Sequence, residues 1–188
     1  MPRWLLLDYG QVLCTAPPAD EWDDLRRTAG HQDGPTFSAA YWEHRPAYDR
    51  GDLTPEEYWG RVAPGAPLEA LRPLDVRIWL HPCQPAVDAA GRAAARGWPL
   101  ALFSNAPVEV AEAIDDLDWL HAVSRRFYSC RINRVKPEPE AYLHVLAELG
   151  VDPTEVVFFD DRADNVVGAR LLGIEAHVFS EAGQLDAL

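Results

Sequence analysis

The sequence predicts an α/β fold: a doubly wound parallel sheet interrupted after its first strand by an inserted helical subdomain. Three observations carry this. Short runs of successive apolar residues, each ending in polar side chains, recur along the chain. Helical stretches separate them. The interval between the first two, residues 15–82, holds helix signals and no convincing strand. Runs that are apolar at every position suit strands covered on both faces, as in parallel sheets. Strand–helix alternation is the pattern of wound α/β domains.

The first strand is read over Trp4 to Leu7 and ends in Asp8. In the insertion, Thr54-Pro55-Glu56-Glu57 supplies an N-cap, a proline at the first helical position and a glutamate at the capping-box position. Seven tryptophans and tyrosines crowd this segment: Trp22, Tyr41, Trp42, Tyr48, Tyr58, Trp59 and Trp79. They are read as its core, with one or two left to face a substrate. The Pro/Gly-rich residues 64–67 read as a loop between helices. Further on, helices over 84–97, 107–115, 137–149 and 163–172 alternate with strands Leu100–Phe103, Phe127–Cys130, Val156–Phe159 and Ala176–Phe179. The organisation expected is a core of residues 1–14 and 83–188 around an insertion of 15–82.

A chain of 188 residues with 48% hydrophobic content can bury one substantial core. Its formal charge of −13 makes nucleic acid and anionic membrane poor generic partners, because both demand a basic stripe. Cys14, Cys83 and Cys130 are odd in number, scattered and without Cys-x-x-Cys spacing, which fits a reducing compartment. Four apolar residues between Arg3 and Asp8 are too few for a signal sequence or a membrane span. The expectation is a cytoplasmic protein with no nucleic-acid or membrane partner; its oligomeric state is not legible. Of the 17 basic residues, a single one, Lys136, is lysine.

In open parallel sheets, ligands bind beyond the carboxyl ends of the strands. The polar residues there are Asp8; Ser104 and Asn105; and Asp160, Asp161 and Asp164. Lys136 lies in the loop after the Phe127–Cys130 strand, just before Pro137. Each alone has a structural explanation as a strand terminator or a helix cap. Together they have a chemical one. Carboxylates converging on one crevice repel unless a cation sits among them. Mg²⁺ suits that place, since it takes one or two carboxylates and completes its shell with water and phosphate. A hydroxyl and helix N-terminal amides near Ser104-Asn105 would donate to phosphate oxygens. Lysine adds a compact positive charge. An aspartate can then attack phosphorus as a nucleophile.

With these residues in this order, the sequence resembles the haloacid dehalogenase superfamily, in the branch with a helical cap after the first strand. The matching elements are Leu-Leu-Leu-Asp8-Tyr-Gly10-Gln-Val, Leu-Phe-Ser104-Asn105, Val-Lys136-Pro-Glu-Pro and Phe-Phe-Asp160-Asp161-Arg-Ala-Asp164-Asn165. Gly51-Asp52-Leu53-Thr54-Pro55-Glu56 resembles a segment common in such caps. The resemblance implies a Rossmann-like core and a Mg²⁺-dependent phosphomonoester hydrolase acting on a small phosphorylated metabolite, with sugar phosphates as one candidate class. It further implies Asp8 as nucleophile and metal ligand, with the residue 10 carbonyl and Asp161 completing the protein's share of the metal shell. Asp160 would orient that shell or ligate directly. Ser104 and Asn105 would hold phosphate, and Lys136 would bridge Asp8 and substrate.

One position departs from the pattern. Phosphatases of this family carry Asp-x-Asp in the first motif, the second aspartate protonating the leaving group and then activating water. Here that position is Gly10, which has no proton to give; losing such a group costs about 10²–10⁴-fold. The Asp-x-Gly form also occurs in a branch similar to sugar-phosphate phosphatases. His44, Cys14 and Gln11 are the partial substitutes in view. Two alternatives compete: a 2-haloacid dehalogenase, and a silent binding module that keeps the fold. The dehalogenase first motif reads Asp-x-Tyr-Gly-Thr, whereas Tyr9 and Gly10 sit one place too early. A phosphonate hydrolase needs a cap lysine, and this cap has none.

Overall fold

A computed structural model describes residues 3–188; Met1 and Pro2, the start of the expected core segment, lie outside the described residues. Five parallel strands form one sheet: β1 (Trp4–Leu7), β2 (Leu100–Ser104), β3 (Val123–Tyr128), β4 (Val156–Asp160) and β5 (Glu175–Val178). They lie side by side in the order β3-β2-β1-β4-β5. The order reverses at β1, so the crevice above its carboxyl end is the natural ligand site of such a sheet.

Period-2 alternation sorts the strand residues onto two apolar layers. Leu5, Leu7, Leu100, Leu102, Val157 and Phe159 join one buried cluster. Leu6, Ala101, Phe103, Val156 and Phe158 join the other. Covering both faces is what makes these strands apolar at every position.

The chain leaves the sheet after β1 and forms four helices before it returns: α1 (Ala19–Thr28), α2 (Gly34–Arg50), α3 (Pro55–Val62) and α4 (Leu68–Arg77). They carry a third apolar cluster, rich in aromatics, that includes Phe37, Tyr41, Tyr58 and Trp59. The Thr54–Glu57 capping box forms as expected and starts α3. Residues 64–67 connect α3 to α4. Outgoing and returning chains meet at Cys14 and Pro82, joined by Cys83 N–H donating to Leu13 O at 2.8 Å.

The remaining helices are α5 (Gln84–Ala95), α6 (Val108–Asp115), α7 (Ser129–Ile132), α8 (Pro139–Leu149), α9 (Ala163–Leu171) and α10 (Gly183–Asp186). The strand read over Ala176–Phe179 runs one residue earlier, as β5, and two further expectations need correction. The strand read over Phe127–Cys130 runs instead over Val123–Tyr128, and Ser129 and Cys130 open α7. This is an edge strand with an exposed Ser124-Arg125 stretch, so it shows no continuous apolar run. The helix read from residue 137 begins at Pro139, because a residue before proline, here Glu138, is kept out of the helical region.

Candidate active site

Asp8 follows β1, and its backbone N–H donates to Phe159 O on β4 at 2.9 Å. Lys136 arrives from the loop before α8 and is 4% exposed. Its ammonium donates to Asp8 Oδ1 at 2.6 Å, to Asp160 Oδ2 at 2.7 Å and to Phe103 O at 2.7 Å. All three protons of the ammonium are thus spent, in a fixed tripod between the two carboxylates. The rings of Phe103 and Phe158 close over the Nζ, 5.1 and 5.4 Å from their centroids.

Asp160 is wholly buried at the end of β4. Oδ1 accepts from Arg162 N–H at 2.9 Å, Asn165 Nδ2 donates to both oxygens at 2.9 and 3.0 Å, and Lys136 takes Oδ2. Its acceptor capacity is largely filled from within the protein. Asp161, next along, is half-buried and takes one side-chain bond, from Gln11 Nε2 at 3.1 Å. Gln11 holds a left-handed backbone, φ 55°, which is uncommon for a side chain of this kind and marks local strain at the site.

Asp8, Asp160 and Asp161 each offer a carboxylate oxygen, and these oxygens lie within 4.8 Å of one another. Burial pushes the Asp8 carboxyl up to about 7, with Lys136 pulling it down and Asp160 and Asp161 adding repulsion. Burial, then the charge of Asp160, raises Asp161 as well. Burial works against the Lys136 charge, but Asp160 and Asp8 outweigh it and hold the ammonium above its ordinary range.

A cavity of about 590 Å³ opens above these groups, between the sheet and α2. Asp8, Gly10, Ser104, Asn105, Lys136 and Asp161 all line it; Asp160 lies beneath, outside the lining. The side-chain amide of Asn105 is turned to the Lys136 backbone: Nδ2 donates to Lys136 O and Oδ1 accepts from Lys136 N–H, both at 2.9 Å. It clamps the lysine loop and retains one N–H for a ligand. Asp164 turns outward to Arg162 at 2.7 Å. Of the residues considered as stand-ins at position 10, Gln11 reaches the cavity, Cys14 is fully buried and His44 is not part of the lining.

Arg162 and Asn165 stood in the fourth motif without an assigned role, and Pro46 and Asp49, from the inserted helices, were not singled out from sequence. The signal for Asn165 was its place in that motif, four residues beyond Asp161. Asp49 had none, because its placement depends on how α2 packs over the sheet. Trp42 and Trp79 are the aromatics of the insertion that face the cavity.

A family model described as haloacid dehalogenase-like hydrolase matches residues 26–173. The chain belongs to that family. Among curated relatives of this haloacid dehalogenase-like hydrolase, a phosphatase from Mycobacterium tuberculosis is 31% identical over 173 residues, covering 90% of this chain and 77% of the relative. A flavin mononucleotide hydrolase from Arabidopsis thaliana is 36% identical over 92 residues, covering 49% of this chain and 38% of the relative. The chain thus spans well under half the length of that plant protein. A haloacid dehalogenase family enzyme from Bacteroides thetaiotaomicron, solved in complex with magnesium and inorganic phosphate, shares the fold with a TM-score of 0.78 at 18% identity, over 96% of both chains. An L-2-haloacid dehalogenase from Xanthobacter autotrophicus shares it with a TM-score of 0.72 at 18% identity, over 94% of this chain and 76% of that one. Among the described residues no helix is long and apolar enough to cross a membrane.

Proposed function

We propose that this hydrolase is a Mg²⁺-dependent phosphatase of a small phosphorylated metabolite, working through an aspartyl-phosphate on Asp8. The observation that carries the reading is the Lys136 ammonium locked between Asp8 and Asp160, with Asp161 beside them at the floor of a metabolite-sized cavity. The mycobacterial relative named as a phosphatase supports it. In this reading residues 15–82 are the cap, and residues 1–14 with 83–188 are the catalytic core.

The donor set fits the metal. Asp8 Oδ2 and Asp161 are hard oxygen donors left over once Lys136 has taken Asp8 Oδ1, and the Gly10 carbonyl lies in the same lining. Asp160, filled by its own donors, positions Lys136 and Asn165. Bound there, Mg²⁺ supplies neutralisation of phosphate charge and polarisation of its oxygens.

The chain's own residues do the rest. Lys136 holds Asp8 in place and offsets charge as the phosphoryl group transfers. The Ser104 hydroxyl and the remaining Asn105 N–H hold phosphate oxygens at the end of β2. Asp8 attacks phosphorus, the ester oxygen departs, and water then attacks the phosphorus of the aspartyl-phosphate to free inorganic phosphate. The three cysteines are free, in keeping with a cytoplasmic location.

The test is release of phosphate from p-nitrophenyl phosphate with and without Mg²⁺. The reading predicts turnover that a chelator abolishes. Chelator-insensitive halide release from 2-chloropropionate would instead make the protein a dehalogenase, and metal binding without turnover of any ester would make it a binding module.

A further inference from the structure

Position 10 lacks the proton-transfer group, yet the cavity contains another carboxyl. Asp49, at the end of α2, is 8% exposed and lines the same cavity as Asp8. Its Oδ1 accepts from Arg45 Nε at 2.6 Å; its Oδ2 makes no hydrogen bond among the described residues. The Asp49 backbone is anchored to the phosphate loop: its carbonyl accepts from Ser129 Oγ, which in turn accepts from Ala106 N–H at 2.9 Å. The network around it also reaches toward position 10. The Arg45 guanidinium sits 5.6 Å from the Trp79 ring centroid, and Trp79 Cζ3 lies 4.0 Å from where a Cβ at position 10 would stand.

We propose that Asp49 is the general acid and base of the reaction, supplying from the cap the proton transfer that Gly10 cannot. The inference rests on the phosphatase reading above. As the phosphorus–oxygen bond to the leaving group breaks, the Asp49 carboxyl gives its proton to the departing oxygen. The resulting carboxylate then takes a proton from the water that attacks the phosphorus of the aspartyl-phosphate. The bond to Asp8 breaks, phosphate leaves, and Asp49 is protonated as at the start.

Charge favours a proton on this group. One guanidinium, Arg45, serves two buried carboxylates, Asp49 and Asp75, with Asp75 also held by the Tyr41 hydroxyl at 2.6 Å. Two carboxylates sharing one cation in a low-dielectric site relieve their repulsion by keeping a proton. Asp49 is the one that faces the cavity. Burial pushes its carboxyl up to about 6, against the pull of Arg45, with Asp75 adding repulsion. The Asp49 charge also acts on Tyr58 and Cys130, and Tyr41 shares the Arg45 guanidinium with it.

The experiment compares phenyl phosphate with p-nitrophenyl phosphate in wild type and Asp49→Asn. The esters are alike in shape, but phenoxide is the poorer leaving group, its parent acid titrating near about 10, as a tyrosine does. Loss of an acid predicts a fall of about 10²-fold or more in kcat/KM for phenyl phosphate, and less than about tenfold for p-nitrophenyl phosphate. Gly10→Asp added to Asp49→Asn should restore the phenyl phosphate rate. Equal losses on both esters would make Asp49 a structural member of the network and overturn the proposal, as would no loss on either. Wild-type protein that hydrolyses neither ester would overturn the phosphatase reading itself, and this inference with it.

Discussion

Lys136 shows how much one residue's surroundings can decide. Its three donors are all engaged, two of them on carboxylates that are themselves buried. Removing the ammonium leaves Asp8 and Asp160 facing each other without a cation. Breaking a buried pair in this way costs about 3–5 kcal/mol. Lys136→Met should therefore lose stability of that order by urea denaturation, as well as losing turnover. Arginine is no substitute, because its planar fork cannot fill a tripod built for a point charge. Position 10 behaves oppositely. A Cβ there would lie 3.9 Å from Asp8 Oδ2 and 4.0 Å from Trp79 Cζ3, ordinary contact distances, so Gly10→Asp should fold normally. With Asp49 supplying the proton transfer, Gly10→Asp alone should leave kcat on phenyl phosphate close to wild type; a rise of about tenfold or more would show that the native protein lacks that transfer. Asp8, Lys136 and Asp161 were legible from sequence only as a set: each alone could end a strand or cap a helix, but together at the carboxyl ends of neighbouring strands they share one chemical explanation. The orientation of the Asn105 amide was not, since it depends on a backbone 31 residues away.

Among the elements, helix α9 meets the Lys136 loop through Gly168. A Cβ at that position would stand 2.9 Å from Pro137 O, 3.1 Å from Pro137 Cβ and 3.3 Å from Tyr142 Cε2. Two of those atoms belong to a loop that cannot rotate away, so Gly168→Ala must part α9 from the loop. The same helix carries Asn165, the clamp on Asp160, so both halves of the Lys136 tripod shift together. Overpacking of this kind costs about 1–3 kcal/mol, and the urea midpoint and the phosphatase rate should fall in step. At the end of α6, burial opposes the Asp115 charge, but hydrogen bonds from Arg131, Tyr128 and Arg126 hold its carboxyl below the usual range. Its stabilising share is present above the unfolded pKa of about 3.9 and is lost as pH falls below it. Stability profiles of wild type and Asp115→Asn should accordingly converge toward acid pH. A constant gap down to pH 2 would contradict that. The central strands β1, β2 and β4 were readable to within a residue, because both faces are covered and every position is apolar. The edge strand β3 was misplaced, since its polar residues meet solvent and blur the run.

Over the whole molecule, the excess of negative charge has a local use: three of its carboxylates converge at the floor of the one crevice that the sheet order creates. The helices inserted after β1 roof that crevice. Ties between the inserted helices and the sheet domain include Arg50 to Glu138 at 3.0 Å, beside the cavity, and Tyr48 to Glu109 at 3.2 Å. The wound sheet and the helical insertion could be inferred from the spacing of apolar runs. Which residues of the insertion enter the cavity could not, because Trp42 and Trp79 do so while Tyr41 and Trp59 pack inside the insertion's own apolar cluster. That sorting follows from how the inserted helices pack over the sheet, a tertiary fact with no local signature. The central claim is that Asp8 carries the phosphoryl group. It is tested most directly by Asp8→Asn, which keeps the shape of the side chain and removes its nucleophilic charge. Mg²⁺-supported release of phosphate from p-nitrophenyl phosphate should fall to background in that variant while its urea midpoint shows it folded. A folded Asp8→Asn protein that still releases phosphate at the wild-type rate would contradict the account.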